Sequence, residues 1–329
     1  MTDGKFTRRE ARWGKLRGNW ATLLLPIEAD GAIGMAALEA EIAAQLAAGV
    51  DGIYSNGTAG EFHNQTEAEF DAVQQLLATA CRPAGMPFVI GACQPDPTLA
   101  LARVRKAAAL GPDGIQVILP DWWPVSDAEA VDFLGMAAEA AAGIPLILYN
   151  PPHAKRVLAP AELAGILGQV PEVVGVKLGD GDAAWYAAAA QHLSPWALYV
   201  PGHHLATGVS HGVAVGAFSN VACLSPRGAQ AWTDLMATDL PAALAIEQRI
   251  CAFMDDHIVP FRRDGQYSNG ALDKLLAAIG GWAPLPTRLR RPYRSIEEAE
   301  AIRLRPIAKA LLPEIMVDQP SRIERRLPG

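Results

Sequence analysis

The apolar residues of the chain fall into short runs that alternate with longer, alanine-rich stretches. The runs are rich in Val, Ile and Leu and are apolar at consecutive positions, which is typical of parallel strands buried on both faces. We predict eight such strands: Trp20–Leu25, Gly52–Tyr54, Phe88–Gly91, Gly114–Leu119, Leu146–Tyr149, Val173–Leu178, Leu198–Val200 and Gly216–Asn220.

The stretches between the runs carry helix-start signals. Thr66 precedes two glutamates, Asp127 precedes Glu129, and Pro160 suits a first helical turn. The predicted helices include Met35–Ala48, Thr66–Thr79, Thr98–Leu110, Asp127–Ala142 and Pro160–Leu167.

Eight successive strand–helix units predict an α/β protein with a (β/α)8 TIM barrel over residues 1–236, close to the typical size of about 250 residues. A doubly wound sheet is the alternative, but no GxGxxG follows the first strand, which weakens it. From about Asp239 the helical periodicity predicts a C-terminal helical extension. We expect residues 237–329 to pack on the barrel as part of the same structural unit.

Composition narrows the function classes. The 329 residues are 50% hydrophobic and 19% charged, which is typical of a globular protein, and the net charge of −7 gives no basic surface for nucleic acid. The short basic patch Arg322–Arg326 is interpreted as a solvated end. The four cysteines are far apart and predict reduced thiols. Without a secretory signal or an apolar span of about 18 residues, we expect a cytoplasmic protein with no membrane or nucleic-acid partner.

Lys177 interrupts the apolar run Val173–Leu178. A lysine at the end of a buried strand is snorkelling, paired with a carboxylate, or functional, because charged residues are rarely fully buried alone. A desolvated lysine loses proton affinity, and its neutral amine attacks carbonyl carbons. Since the carboxyl ends of barrel strands face the active site, the position suits a nucleophile.

Two further motifs lie at predicted strand ends. Tyr149 closes the strand before that of Lys177, where its phenol could transfer protons, although a structural tyrosine would fit the pattern as well. The turn Ser55–Glu61 reads SNGTAGE, and its backbone N–H groups and the Thr58 hydroxyl could bind an anion, although such turns often only connect elements.

Taken together, these motifs resemble those of the dihydrodipicolinate synthase/N-acetylneuraminate lyase family of pyruvate-dependent aldolases, over nearly the whole chain. Val174–Lys177 resembles the strand with the Schiff-base lysine, Tyr149–Pro152 resembles the YNxP motif, and Thr58 and Ala59 match the carboxylate-binding pair. The resemblance implies that Lys177 and Tyr149 are catalytic, that Thr58 and Ala59 bind substrate, and that the chain forms a homo-oligomer, a tetramer or dimer.

Other residues at the predicted mouth are candidates for substrate contact. His153 follows the YNxP motif, Asp180 and His203 follow the sixth and seventh strands, and Phe218 lies in the eighth. The pair His203–His204 suggests a metal, but no third ligand is evident, so we predict neither a metal nor a cofactor.

The chain also departs from the synthases of this family at three places. Ala59 lacks the second hydroxyl of the carboxylate-binding pair. The synthases carry, in the loop after the fourth strand, a tyrosine that completes the proton relay, and Trp122 stands near that position here. An indole only donates a hydrogen bond and cannot relay protons. The synthases place an arginine after YNxP, where Ala154 stands here, and either Lys155 or Arg156 could replace it. The apolar pair Trp122–Trp123 is interpreted as subunit packing rather than a pocket wall.

The leading hypothesis is therefore a Schiff-base-forming lyase that acts on pyruvate or a longer 2-oxo acid and possibly an aldehyde, by aldol cleavage or condensation or by dehydration of a 2-keto-3-deoxy acid. One alternative is 4-hydroxy-tetrahydrodipicolinate synthase proper. Another is a barrel that binds a 2-oxo acid without catalysis.

Overall fold

The computed structural model of this chain describes residues 14–317. Within that range, eight parallel strands close into a barrel, each paired with its neighbours in sequence and β8 paired with β1. The strands are β1 Gly18–Thr22, β2 Gly52–Ser55, β3 Phe88–Gly91, β4 Gly114–Val117, β5 Leu146–Asn150, β6 Val173–Leu178, β7 Ala197–Tyr199 and β8 Ala214–Ser219. The predicted (β/α)8 barrel is confirmed.

Helices follow the strands and cover the barrel. They are α1 Met35–Ala48, α2 Glu67–Ala84, α3 Pro97–Ala109, α4 Asp127–Ala141, α5 Pro160–Leu167, α6 Ala183–His192, α7 Leu205–Ser210, α8 Asn220–Leu224, α9 Pro226–Thr238, α10 Leu240–Phe253, α11 Val259–Arg263, α12 Asn269–Gly280 and α13 Glu298–Leu311. Short 3-10 turns occupy Phe62–Asn64 and Gly202–His204, and a π-helical segment, Met254–Ile258, joins α10 to α11.

The helix-start signals act through side-chain caps. Thr66 is the N-cap of α2 and forms a capping box with Glu69. At α4 the cap is Ser126, one residue before the predicted start, and it forms the same box with Glu129. The first strand differs most from its prediction: pairing ends at Thr22, and Leu23–Leu25 continue beyond the sheet as buried loop residues.

The barrel interior is filled by aromatic and branched side chains from the strands. Trp20, Tyr54, Tyr199 and Phe218 are buried there, and the Phe218 ring centroid lies 4.5 Å from that of Tyr54 and 4.7 Å from that of Tyr199. A larger apolar cluster fills the space between strands and helices. These four aromatic side chains form the apolar bottom of the barrel mouth, which we call the aromatic floor.

The C-terminal helices pack on the barrel at this mouth. α12 packs against α8, which directly follows β8, and α13 packs against α12. The predicted boundary near residue 236 falls in the last turn of α9. The first 13 residues and the patch Arg322–Arg326 lie outside the described residues. No helix in residues 14–317 has the length and apolar character needed to cross a bilayer.

Candidate active site

Lys177 is the next-to-last residue of β6, and its amine lies among aromatic rings at the barrel mouth. Its Nζ is 4.2 Å from the ring centroid of Tyr149 and 5.2 Å from those of Tyr54 and Phe218. The residue itself is partly exposed, so the rings surround the amine without sealing it off.

Burial among these rings lowers the pKa of Lys177 to about 8, because an ammonium loses hydration there. The negative charge of Asp273 acts in the opposite direction and offsets part of this effect. A lysine with this pKa carries a useful neutral fraction near neutral pH, and the neutral amine is the nucleophilic form.

Tyr149 lies directly opposite Lys177 in the β5–β6 ladder. Its hydroxyl is 3.3 Å from the Thr58 Oγ1, and either group can donate. Burial raises the pKa of Tyr149 to about 12, although the Thr58 hydroxyl partly counteracts this, so the phenol keeps its proton at neutral pH. The next residue, Asn150, donates to the Arg156 carbonyl and accepts from the Leu158 N–H, which fixes the loop after the strand.

The turn after β2 brings Thr58 and Ala59 to the same place. Gly57 is required in this turn because a Cβ there would lie 1.8 Å from the Tyr54 hydroxyl. Within the described residues, the Ala59 N–H donates to no protein group, so it can donate to a ligand. The turn therefore places the Thr58 hydroxyl beside Tyr149 and leaves the next backbone N–H, that of Ala59, without a partner in the described residues.

A buried ion pair joins this turn to α12. The Lys274 ammonium contacts the Glu61 carboxylate, each side chain is 1% exposed, and the ammonium also donates to the Arg288 carbonyl at 2.6 Å. Because both charges are removed from water, the pair is costly to break on one side. It fixes the end of the turn that carries Thr58 against the C-terminal helices.

Asp273, the residue before Lys274, is a site residue that the sequence reasoning missed. Burial raises its pKa to about 7, and the positive charge of Lys177 acts against that rise. Its charge in turn acts on both Lys177 and Tyr149. Asp273 thus interacts electrostatically with the amine and the phenol, and the interaction favours the protonated form of each.

A cavity of about 440 Å³ is lined by Thr58, Glu61 and Tyr149, whereas Lys177 and Asp273 are not among its lining residues. His153 and Arg262 also line it. Of the predicted substrate contacts, Thr58 and His153 line the cavity, and Ala59 follows Thr58 in the sequence. Asp180, His203 and Phe218 are not in the lining. Phe218 lies beneath the Lys177 amine, in the aromatic floor.

Asp180 and His203 belong to a hydrogen-bonded network beside the cavity. Asp180 Oδ2 is 2.8 Å from the His204 Nδ1 and accepts from the Tyr186 hydroxyl at 2.7 Å. His203 Nδ1 is 2.9 Å from the Asn220 amide nitrogen, and burial lowers the pKa of His203 to about 4. In the described part of the chain, no cluster of three or more His, Cys, Asp or Glu side chains is arranged to hold a metal ion.

Comparison with known proteins identifies the family to which this site belongs. The Dihydrodipicolinate synthetase family matches residues 15–311. The chain belongs to this family.

Its similarity to individual members of the dihydrodipicolinate synthetase family is spread over the whole barrel. The chain is 30% identical over 293 residues, 88% of its length and 96% of the relative's, to a 4-hydroxy-tetrahydrodipicolinate synthase of Acidiphilium cryptum. Among solved structures it resembles YagE, a prophage protein of this family from E. coli K12 in complex with pyruvate, with a TM-score of 0.77 at 22% identity over 90% of this chain and 98% of that one.

An N-acetylneuraminate lyase from Fusobacterium nucleatum gives the same TM-score of 0.77, at 16% identity, over 91% of this chain and all of that one. At such identities the two structural likenesses establish the shared fold.

The structure shows where two of the sequence differences between this chain and the synthases of the family lie. Arg156 donates to the Val125 carbonyl and pairs with Asp127, and Lys155 donates to the Trp122 carbonyl at 2.6 Å, so both side chains are engaged within the protein. Trp122 and Trp123 are 83% and 79% exposed, and neither lines the cavity. The interpretation of this pair as subunit packing stays a prediction.

Proposed function

We propose that this chain is a class I lyase that forms a Schiff base between Lys177 and the C2 carbon of pyruvate or a longer 2-oxo acid. The observation that carries the proposal is the desolvated Lys177 amine, 4.2 Å from the Tyr149 ring, whose hydroxyl lies 3.3 Å from the Thr58 Oγ1. Tyr149 and Thr58 line the cavity, the Lys177 amine contacts the Tyr149 ring, and the lyases of the family support the same assignment.

The chemistry follows from these groups. The neutral Lys177 amine adds to C2, and the carbinolamine loses water to give a protonated imine. The imine accepts electrons from C3, so that C3 loses a proton or the C3–C4 bond breaks, and an enamine forms in either case. Tyr149, which holds its proton at neutral pH, exchanges it with the carbinolamine oxygen and with the leaving oxygen. The Thr58 hydroxyl and the Ala59 N–H bind the carboxylate of the 2-oxo acid.

Borohydride reduction in the presence of pyruvate tests this proposal directly. We expect a mass increase that corresponds to one reduced pyruvate adduct, located by peptide mapping on Lys177 and lost in Lys177→Arg. Lys155→Arg is the matched control, because Lys155 is exposed and held at the Trp122 ring, and it should be labelled like the wild type. An adduct on another residue, or none, would refute the proposal.

4-Hydroxy-tetrahydrodipicolinate synthase is the second candidate, and the relative of that name at 30% identity favours it. The engaged side chains of Lys155 and Arg156 count against it. A turnover assay with pyruvate and the aldehyde substrate of that synthase, run beside a panel of aldehydes and 2-keto-3-deoxy acids, separates the two. Trapping at Lys177 without turnover of any of them would identify a binding protein instead.

A further inference from the structure

The charged side chains that line the cavity differ in whether they have a partner within the protein. Glu61 is paired with Lys274, and Arg156 is paired with Asp127. Asp121 accepts the Lys155 N–H at 2.9 Å. Arg262 is a solvent-exposed residue of the cavity lining, and within residues 14–317 its guanidinium has neither a hydrogen bond nor an ion pair.

The backbone directs Arg262 to this place by an irregular helix. The π-helical segment Met254–Ile258 immediately precedes α11, in which Arg262 is the fourth residue. Such segments are rare and occur often at functional sites. The next residue, Arg263, pairs with Asp264 at 2.8 Å and is not in the cavity lining, so the two neighbouring arginines have different environments.

The field of Arg262 reaches the cavity. His153, which also lines it, has its pKa lowered first by burial and next by the positive charge of Arg262. His153 is therefore mainly neutral at neutral pH and does not add a second positive charge to that of Arg262. Asp121 is the opposing charge, and it lies on the loop that follows β4 and is held there by the Lys155 N–H.

Much of the cavity lining is apolar. Phe62, Ile118, Leu119, Val125 and Leu289 all line the cavity. Apolar walls of this kind favour a hydrocarbon segment in the middle of the ligand.

We propose that Arg262 binds a second carboxylate at the far end of the substrate, which would make the substrate a 2-oxo dicarboxylic acid with an apolar middle. This inference rests on the proposed function for the placement of the 2-oxo end at Lys177 and Thr58. Arg suits the role because its planar guanidinium can donate two hydrogen bonds to one carboxylate.

Calorimetric binding of length-matched pairs tests the inference. 2-Oxoglutarate is compared with 2-oxopentanoate, and 2-oxoadipate with 2-oxohexanoate, so that the members of each pair differ in the second carboxylate. For at least one pair we expect the wild type to bind the dicarboxylate about tenfold more tightly, as one charge-assisted hydrogen bond provides. Arg262→Gln should abolish this preference and leave the affinity for the monocarboxylate unchanged.

Arg263→Gln is the matched control and should retain the preference. Equal affinities within every pair, or equal preferences in the two variants, would overturn the inference. The same titrations in Lys177→Met, which cannot form an imine, separate it from the proposed function. If pyruvate traps on Lys177 but the preference is absent, the Arg262 inference alone fails. If trapping fails but the Arg262-dependent preference persists, the Schiff-base proposal alone fails.

Discussion

The pH dependence of imine formation follows directly from the surroundings of Lys177. Burial lowers its pKa from 10.5 to about 8. At pH 7 the neutral fraction is then about 9%, against about 0.03% for an unperturbed lysine, a gain of about 300-fold in nucleophile. The rate of borohydride trapping with saturating pyruvate should therefore rise about tenfold between pH 7 and pH 9 and level off above that.

An ordinary lysine behaves differently over the same range. Its trapping rate would rise about 100-fold between pH 7 and pH 9 and keep rising beyond. Single-turnover trapping, quenched and quantified by mass spectrometry at half-unit pH steps, distinguishes the two curves. A rate that still rises tenfold per pH unit at pH 9.5 would refute the reasoning about desolvation.

Asp273→Asn extends the same measurement. The Asp273 carboxylate raises the pKa of Lys177, so its removal should lower that pKa further and move the inflection to lower pH. Asp264→Asn, an exposed carboxylate paired with Arg263, is the control and should leave the curve in place. An unchanged or higher inflection in Asp273→Asn would show that the Asp273 carboxylate does not raise the pKa of Lys177.

Two further variants test the proton carrier and the buried ion pair. Tyr149→Phe should still form the pyruvate adduct on Lys177 but lose about 100-fold in turnover, because general acid–base catalysis contributes at least that much. Tyr186→Phe is the control, since the Tyr186 hydroxyl contacts Asp180 outside the cavity. Equal turnover in the two variants would contradict the role of Tyr149 as proton carrier. Lys274→Met leaves the buried Glu61 unpaired, so urea titration should show a loss of about 3–5 kcal/mol in the free energy of unfolding. Arg303→Met removes an exposed pair and should cost under about 1 kcal/mol, and similar losses in the two variants would contradict the burial argument.

The sequence predicts the barrel, and the placement of Tyr149 beside Lys177, because both depend on local patterns. Buried parallel strands must be apolar on both faces, so a lysine in such a run is conspicuous, and the position of Tyr149 at the end of the preceding strand places it beside Lys177. Strand ends are less predictable. Leu23–Leu25 are as apolar as the strand itself because they are buried in a loop.

The residues that the sequence reasoning missed act over long separations in the chain. Glu61 and Lys274 are 213 residues apart, and nothing in the local pattern around Lys274 separates it from a solvated helix face. Asp273 and Arg262 depend in the same way on how the C-terminal helices return to the barrel mouth. For Asp180 and His203, position at a strand end predicted the correct face of the barrel, but hydrogen bonds to His204, Tyr186 and Asn220 determine where their side chains lie.

The anchoring of α12 also bears on the order in which the molecule becomes active during synthesis. A ribosome that has made all eight strands has supplied Lys177 and Tyr149 but not Lys274, the cation that neutralises Glu61 in the Thr58 turn. Until α12 emerges, that carboxylate has no buried partner and the turn has no fixed end. A nascent or prematurely terminated barrel would therefore carry the lysine without the organised carboxylate site, and competence to bind a 2-oxo acid would arrive with the last part of the chain.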